Sequence, residues 1–162
     1  CAALIRCAQL LQGEHLACRV TILLSTREEV GSQGAETAAF REEPDMAIAV
    51  DVSFAEQPGV PAHKCGKLSE GPMIGISPIL DKSITETLKR LAKEQEIPFQ
   101  LEVMGGTTGT NADEINVSRA GVPCGLVSIP QRNMHTPAEV CDLMDIENVA
   151  RLLAAFIREV GA

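Results

Sequence analysis

Apolar residues recur with two different spacings along the chain, and the spacing changes at short polar connections. Helical spacing is clearest over 82–95, where Ile84, Leu88 and Leu91 share one face and charged residues occupy the other. Continuous apolar runs such as VTILL at 20–24 are typical of strands that are buried on both faces. The sequence therefore predicts an alternation of helices and strands.

The other segments continue this alternation. The pattern predicts helices at 2–12, 34–40, 82–95, 112–119 and 145–160, the last capped by Asp145, and strands at 20–24, 45–50, 73–77, 99–104 and 125–129. Strands that alternate with helices indicate an α/β fold in which a mostly parallel sheet is sandwiched by helices. No repeat, linker or low-complexity segment divides the chain. We therefore expect a single α/β domain over residues 1–162.

Composition excludes several classes of partner. The 162 residues carry a formal net charge of −8, whereas binding to nucleic acid requires a basic surface. The chain has no Trp or Tyr and only four Phe, so it lacks the aromatic platforms on which single strands stack. No apolar run approaches the roughly 20 residues of a membrane span. We expect neither a nucleic-acid partner nor a membrane partner.

The cysteines and the first residues bear on the origin of the chain. Six cysteines occur singly, and none forms a Cys-x-x-Cys pair. This usage is typical of reduced, mostly buried thiols in a cytoplasmic protein. The chain begins Cys-Ala-Ala-Leu, without Met and without the pattern of a signal peptide, so we expect it to be a piece of a longer polypeptide.

Polar side chains that could carry chemistry follow three of the predicted strands. Glu28 and Glu29 follow the first strand, Asp51 the second and His135 the last. Carboxylates and imidazole are ligands of zinc, cobalt or manganese, and a carboxylate outside the ligand set can accept a proton from water. In an extended chain Glu28 and Glu29 would face opposite sides, so one could bind a metal ion while the other acts as a base. Each residue also has an alternative without chemistry. Glu28 and Glu29 are then solvated acids of a loop, Asp51 is a turn or capping residue, and His135 is a surface or a satisfied core residue.

Three further features do not point to chemistry. The glycine-rich segment 105–110 (GGTTGT) lacks the spacing and the Lys-Ser/Thr ending of a phosphate-binding loop, which favours a tight turn. The sequence also lacks a Gly-x-Gly-x-x-Gly fingerprint. His15 and His63 lie in polar connections, where a surface position is expected.

Short segments along the whole chain, taken in order, resemble one family. They are TREEVG at 26–31, GA at 34–35, AIAVDV at 47–52, GP at 71–72, IPFQ at 97–100, SRAGVP at 118–123 and SIPQRNMHTP at 128–137. Together they resemble the TET-type metallo-aminopeptidases, the glutamyl or deblocking aminopeptidase family whose members were often named endoglucanases or cellulases. The resemblance implies a zinc-exopeptidase-like fold, incomplete at the N-terminus, of which these residues are the C-terminal portion of the catalytic domain.

The resemblance also implies a role for four residues. Glu28 matches the general base, Glu29 and His135 match terminal ligands of one metal ion, and Asp51 matches a terminal ligand of a second ion. In the family two divalent ions, zinc or cobalt, bind the amino terminus and the scissile carbonyl of a peptide. The resemblance further implies peptide substrates and a homo-oligomer.

The sequence departs from the family pattern at four points. A His in a His-x-Asp motif and a bridging Asp just before a helix start like Cys1-Ala2-Ala3 are both absent from the 162 residues. Asn111 stands where the family usually has Asp, and Asn133 stands where it usually has Tyr. We therefore expect an aminopeptidase fragment with little turnover of its own. The alternative is a truncated or degenerate relative with a binding or assembly role. A glycosidase using Glu28 and Asp51 is disfavoured because the chain has few aromatic residues to line a sugar cleft.

Overall fold

The computed structural model describes residues 1–161, which form five α-helices and five strands in the order α1-α2-β1-β2-α3-β3-α4-β4-β5-α5. The helices are α1 (Ala2–Leu10), α2 (Gln33–Glu42), α3 (Lys82–Glu94), α4 (Ala112–Asn116) and α5 (Leu143–Val160). The strands are β1 (Ala47–Phe54), β2 (Met73–Ile76), β3 (Gln100–Val103), β4 (Cys124–Arg132) and β5 (Val140–Cys141). Among the described helices, none has both the length and the apolar character needed to cross a bilayer.

The strands form one mixed, mostly parallel sheet in the order β1-β4-β2-β3, with β5 paired to β4. The long pairing of β1 with β4 is parallel, as is the pairing of β2 with β3. Antiparallel contacts of β4 with β2 and β5 are short, with two residue pairs each. The predicted fold class is confirmed, and the small antiparallel part was not anticipated.

Helices cover both faces of this sheet because successive residues of β4 point to opposite sides. Val127 packs with α1, α3 and α5 on one face, and its neighbour Leu126 packs with α2 and α4 on the other. Both side chains are almost fully buried. The continuous apolar run in β4 therefore reflects burial on two faces, as the sequence predicts.

The first helix packs against the last one. Ala3 and Cys7 of α1 lie in the same buried cluster as the apolar face of α5. At the rim of this contact the Arg6 guanidinium donates to both carboxylate oxygens of Glu147, at 2.8 and 3.1 Å, across 141 residues of sequence. The two ends of the described chain are thus held together over one face of the sheet.

Helix α3 begins at a side-chain cap. The Asp81 carboxylate accepts hydrogen bonds from the backbone N–H groups of Ser83 and Ile84, at 2.8 and 3.1 Å. The first N–H groups of an α-helix have no partner within the helix, and the Asp81 side chain supplies a partner to two of them. The cap and the apolar face together explain why the predicted helix 82–95 is found at Lys82–Glu94.

We expect Asp81→Ala to lower the free energy of unfolding by about 1 kcal/mol, because the cap is lost. Asp81→Asn should be nearly neutral at neutral pH, since asparagine caps equally well. The Ser83 hydroxyl and the N–H of Ile84 hold the pKa of Asp81 below its ordinary value. The contribution of the charged cap is therefore present above that ordinary value and is lost as pH falls through the folded-state pKa. Urea unfolding at neutral and acidic pH checks both statements, and the Asn variant should lack the acid-dependent loss.

The predicted strand at 20–24 is wrong. Residues 20–24 have no strand assignment, and the described residues make no backbone-to-backbone hydrogen bond with them. Val20, Ile22, Leu23 and Leu24 are 37–53% exposed. None of the strands β1 to β5 pairs with this run, so its backbone lacks the hydrogen-bonded neighbours of a buried strand.

The predicted cap of the last helix is also wrong. Helix α5 begins at Leu143, and Asp142 caps it by accepting from the N–H of Met144. Asp145 lies fully buried in the first turn and accepts from the N–H groups of Ser69 and Gly71, each at 2.8 Å. Its carboxylate therefore anchors the end of the long loop before β2 onto α5. The pKa of Asp145 is raised, with burial as the largest cause and the charges of Asp142 and Glu70 adding to it, while the two N–H groups lower it.

All six cysteines are free thiols, as predicted. Only Cys7 and Cys124 are buried, so the prediction that the thiols are mostly buried is wrong. Burial raises the pKa of the Cys124 thiol to about 12, which keeps it protonated and unreactive.

Candidate metal and catalytic site

Glu28 and Glu29 lie in a tight loop that the sequence TREEVGSQG builds. The two residues begin a 3₁₀ turn, Glu28–Val30, which ends at Gly31 with a left-handed φ of 115°. The N–H of Gly34 donates to the carbonyl of Thr26, and a Cβ at Gly34 would lie only 2.4 Å from that oxygen. The loop thus requires glycine at this position. The segment is a turn, so the extended geometry considered for Glu28 and Glu29 does not occur.

The two carboxylates nevertheless have different surroundings. Glu28 is partly buried, whereas the side chain of Glu29 is 72% exposed. Burial raises the pKa of Glu28, as do the negative charges of Asp51 and Glu29, and the nearby His135 lowers it. Of the two neighbouring carboxyl groups, Glu28 is therefore the one whose pKa is moved in the direction that favours proton exchange.

Asp51 lies within β1, which continues to Phe54, so the prediction that the strand ends at this residue is wrong. The side chain is partly buried, and its Oδ1 accepts from the N–H of Val52 at 2.8 Å. Burial is the largest cause that raises the pKa of Asp51, and the charge of Glu29 raises it further. The N–H of Val52, the amino terminus of Cys1 and His135 lower it.

His135 lies in the loop after β4, in the left-handed region with φ of 61°. Its N–H donates to Oε1 of Glu139 at 2.7 Å, and its Nε2 lies 3.5 Å from Oε1 of Glu29. The His135 side chain is 68% exposed. The loop therefore presents this ring to the Glu28–Glu29 turn.

Asn133 helps to form the loop that carries His135. It too adopts a left-handed conformation, with φ of 58°, which asparagine tolerates better than most residues. Its Nδ2 donates to the carbonyl of Ala138 at 3.2 Å, and its N–H donates to Oε1 of Gln57 at 2.6 Å. An asparagine is thus structurally well placed here.

Asn111 fits its surroundings less completely. Its Nδ2 donates to the Ser25 hydroxyl at 3.0 Å, just ahead of the turn that carries Glu28. Its Oδ1 is buried and has no hydrogen-bond partner within residues 1–161. Leaving a buried oxygen without a hydrogen bond costs about 1–3 kcal/mol of folding free energy.

The structure thus brings Glu28, Glu29, Asp51 and His135 into one electrostatic group. Their donor set of carboxylates and imidazole suits zinc or cobalt. Across residues 1–161, however, no three such side chains lie close enough together to hold an ion. The donor chemistry of these residues fits a metal ion, but the described side chains do not by themselves form a metal site.

Sequence reasoning missed Glu102 on β3. Its Oε2 accepts from the hydroxyl of Ser128 at 2.7 Å, and its Oε1 accepts from the hydroxyl of Ser53. Ser128 is the register partner of Asp51, and Ser53 lies two residues beyond Asp51 on β1. Glu102 therefore links β3 to the two strands that position Asp51. The sequence offered two signals for this contact. Glu102 is a charged residue within a short strand, and Ser128 is a polar residue within an apolar strand.

The glycine-rich loop and the other histidines play no part in this group. Asp113 accepts from the N–H groups of Thr108 and Gly109, at 2.8 and 2.9 Å, so these donors already have a partner. His63 lies in a 3₁₀ turn, Ala62–Lys64, and is exposed, as is His15.

Comparison with known proteins gives one consistent result. Residues 1–152 match the sequence pattern of the M42 glutamyl aminopeptidases. The lysyl aminopeptidase of Pyrococcus furiosus is 36% identical over 98% of this chain, which spans 45% of that protein. The crystal structure of a TET aminopeptidase from Thaumarchaeota archaeon SCGC AB-539-E09 superposes with a TM-score of 0.89 at 31% identity, over 98% of this chain and 46% of that one.

A third relative is described by its assembly. The TET1 peptidase of Pyrococcus horikoshii is 26% identical, with a TM-score of 0.76 over 97% of this chain and 46% of that one. Its structure is reported to assemble into a tetrahedron or a large octahedral shell. The chain thus spans slightly less than half the length of each of these three relatives.

Proposed function

Because this chain belongs to the M42 glutamyl aminopeptidase family, we propose that residues 1–162 form the C-terminal portion of the catalytic domain of a dinuclear metallo-aminopeptidase. This enzyme removes N-terminal residues from peptides. The observation that carries the proposal is the convergence of Glu28, Glu29, Asp51 and His135, which come from three separate segments of the sequence.

Each of the four side chains has a proposed role. Glu29 and His135 would hold one divalent ion, and Asp51 would hold the other. Such ions, zinc or cobalt, supply Lewis-acid polarisation of a carbonyl and make a water molecule more acidic. Glu28 accepts the proton from the attacking water and delivers it to the leaving amine. Its partly buried carboxyl, with its raised pKa, is suited to both transfers.

The remaining ligands are proposed to come from chain outside these residues. Across residues 1–161 no three metal-binding side chains lie close enough together to hold an ion, which supports a site that these residues complete only in part.

The cellular setting and assembly are part of the same proposal. Six free thiols favour a reducing compartment, and we propose a cytoplasmic enzyme. The assembly reported for the Pyrococcus horikoshii relative supports a homo-oligomer. Peptides are the proposed substrates.

The natural polypeptide, stripped of metal by a chelator, should release p-nitroaniline from aminoacyl p-nitroanilides only after zinc or cobalt is restored. Residues 1–162 alone should bind zinc weakly in a calorimetric titration and show little turnover. Two tight zinc sites in residues 1–162 would contradict the incomplete site. Absence of metal-dependent release by the natural polypeptide would overturn the enzyme proposal and favour the non-catalytic alternative. Release of reducing sugar from carboxymethylcellulose would favour the glycosidase.

A further inference from the structure

The loop that carries His135 contains two residues in an unfavourable backbone conformation. Asn133 and His135 both lie in the left-handed region, with φ of 58° and 61°. Residues other than glycine seldom adopt this region, because their Cβ approaches the following carbonyl oxygen. Such a conformation persists where the surrounding structure imposes it, and it is common at functional sites. Specific contacts must therefore hold this loop.

Apolar packing does not supply those contacts. Within residues 132–140 every side chain is exposed except Met134, which is half-buried. The two buried apolar clusters of the described chain take no residue from this segment. The conformation of the loop therefore depends mainly on its hydrogen bonds.

Each of the two left-handed residues donates its backbone N–H to a side-chain oxygen. The N–H of Asn133 donates to Oε1 of Gln57 at 2.6 Å, and the N–H of His135 donates to Oε1 of Glu139 at 2.7 Å. Gln57 is a neutral acceptor from the connection after β1, whereas Glu139 is a carboxylate just before β5. Hydrogen bonds to a charged acceptor are the stronger kind. The Glu139 carboxylate is thus the contact that acts directly on the backbone of His135.

The backbone of His135 determines where its imidazole lies. In the observed conformation Nε2 is 3.5 Å from Oε1 of Glu29. Both side chains are largely exposed, so packing would not keep them together if the loop relaxed. The approach of the imidazole to Glu29 therefore depends on the left-handed turn at His135.

We propose that Glu139 is a positioning residue, whose carboxylate holds the backbone of His135 so that the imidazole faces Glu29. This inference rests on the proposed function, in which His135 and Glu29 hold one divalent ion. Side chains that orient metal ligands typically contribute about 10–100-fold to metal affinity. Because Glu139 bonds the backbone of His135, the contact rather than the charge is the proposed cause.

A measurement without metal tests the contact itself. The chain has three histidines, His15, His63 and His135, so labelling with ¹⁵N-histidine gives three backbone amide resonances. E139A should shift the His135 resonance and leave the other two in place. E139Q retains a carbonyl oxygen as acceptor and should leave the His135 resonance close to its wild-type position. An unchanged His135 resonance in a folded E139A protein would overturn the proposal, whether or not metal binds.

Zinc titration of the metal-stripped natural polypeptide tests the positioning role. E139A should weaken one of two zinc sites by at least about tenfold and leave the other unchanged. E139Q should restore the affinity, because its oxygen still reaches the N–H of His135. E139D keeps the charge but is shorter by one methylene group, so it should behave like E139A. Full affinity in E139D together with a loss in E139Q would show that charge is the cause, and would overturn the proposal.

A matched control is available on α2. E36A removes an exposed glutamate, and it should equal the wild type in both measurements. Equal zinc affinities of the wild type and E139A would overturn the positioning role. A wild-type polypeptide without zinc sites would instead contradict the proposed function, and the His135 resonance would still decide whether Glu139 holds the loop.

Discussion

Replacing Glu28 by glutamine in the natural polypeptide is expected to lower kcat by about 10²–10⁴-fold, the usual loss when a general base is removed. Glutamine keeps the volume of the side chain, but its amide replaces one carboxylate oxygen by an NH2 donor and cannot act as a general base. Because Glu29, Asp51 and His135 are unchanged, the metal content should stay at the wild-type value. Steady-state rates on an aminoacyl p-nitroanilide and metal analysis of the same samples measure the two quantities.

A matched control is available on the surface. Glu56→Gln removes an exposed carboxylate outside the proposed site, and its rate should equal that of the wild type. If Glu28→Gln loses metal in proportion to activity, Glu28 is a ligand and the assigned role is wrong. If it retains the full rate, Glu28 takes no part in the reaction.

Replacing Asp145 by alanine is expected to lower the free energy of unfolding by about 3 kcal/mol, because two backbone N–H groups lose a charged acceptor. Those donors belong to Ser69 and Gly71, in a segment with little room to rearrange. A Cβ at Gly71 would lie 1.9 Å from the carbonyl oxygen of Pro98. Asp145→Asn should cost less than alanine but still destabilise, since its amide presents N–H donors where an acceptor is required. Urea unfolding curves measure each difference.

The neighbouring aspartate is the control for this prediction. Asp142→Asn keeps a side-chain cap on α5 and should leave the free energy of unfolding nearly unchanged. A loss below about 1 kcal/mol for Asp145→Ala would show that the loop finds other partners for these donors.

The elements with local signals were predictable from the sequence. Helix α3 carries its cap and its apolar face within fourteen consecutive residues, 81–94, so no distant contact is needed to recognise it. Strand β4 is a run of apolar residues long enough to be buried on both faces. The other helices and the strands β1 to β3 were also predicted from apolar spacing, whereas the two-residue strand β5 was not predicted.

The errors concern properties that depend on distant residues. The run at 20–24 is apolar, but burial requires a paired neighbour, which the sequence of the run itself does not encode. Asp145 has the composition of a capping residue, yet its partners are 74 and 76 residues away. Glu102 reads as a surface glutamate until the register places it beside Ser128. The convergence of Glu28, Asp51 and His135 depends on the sheet order in the same way.

The packing of α1 against α5 has a consequence for synthesis on the ribosome. The whole sheet is translated between the two helices, so Ala3 and Cys7 cannot reach their buried positions until α5 has left the exit tunnel. Contacts of such long sequence separation form late, and until then the apolar face of α1 is exposed to other nascent chains. This face is therefore a natural place for a chaperone to bind during translation.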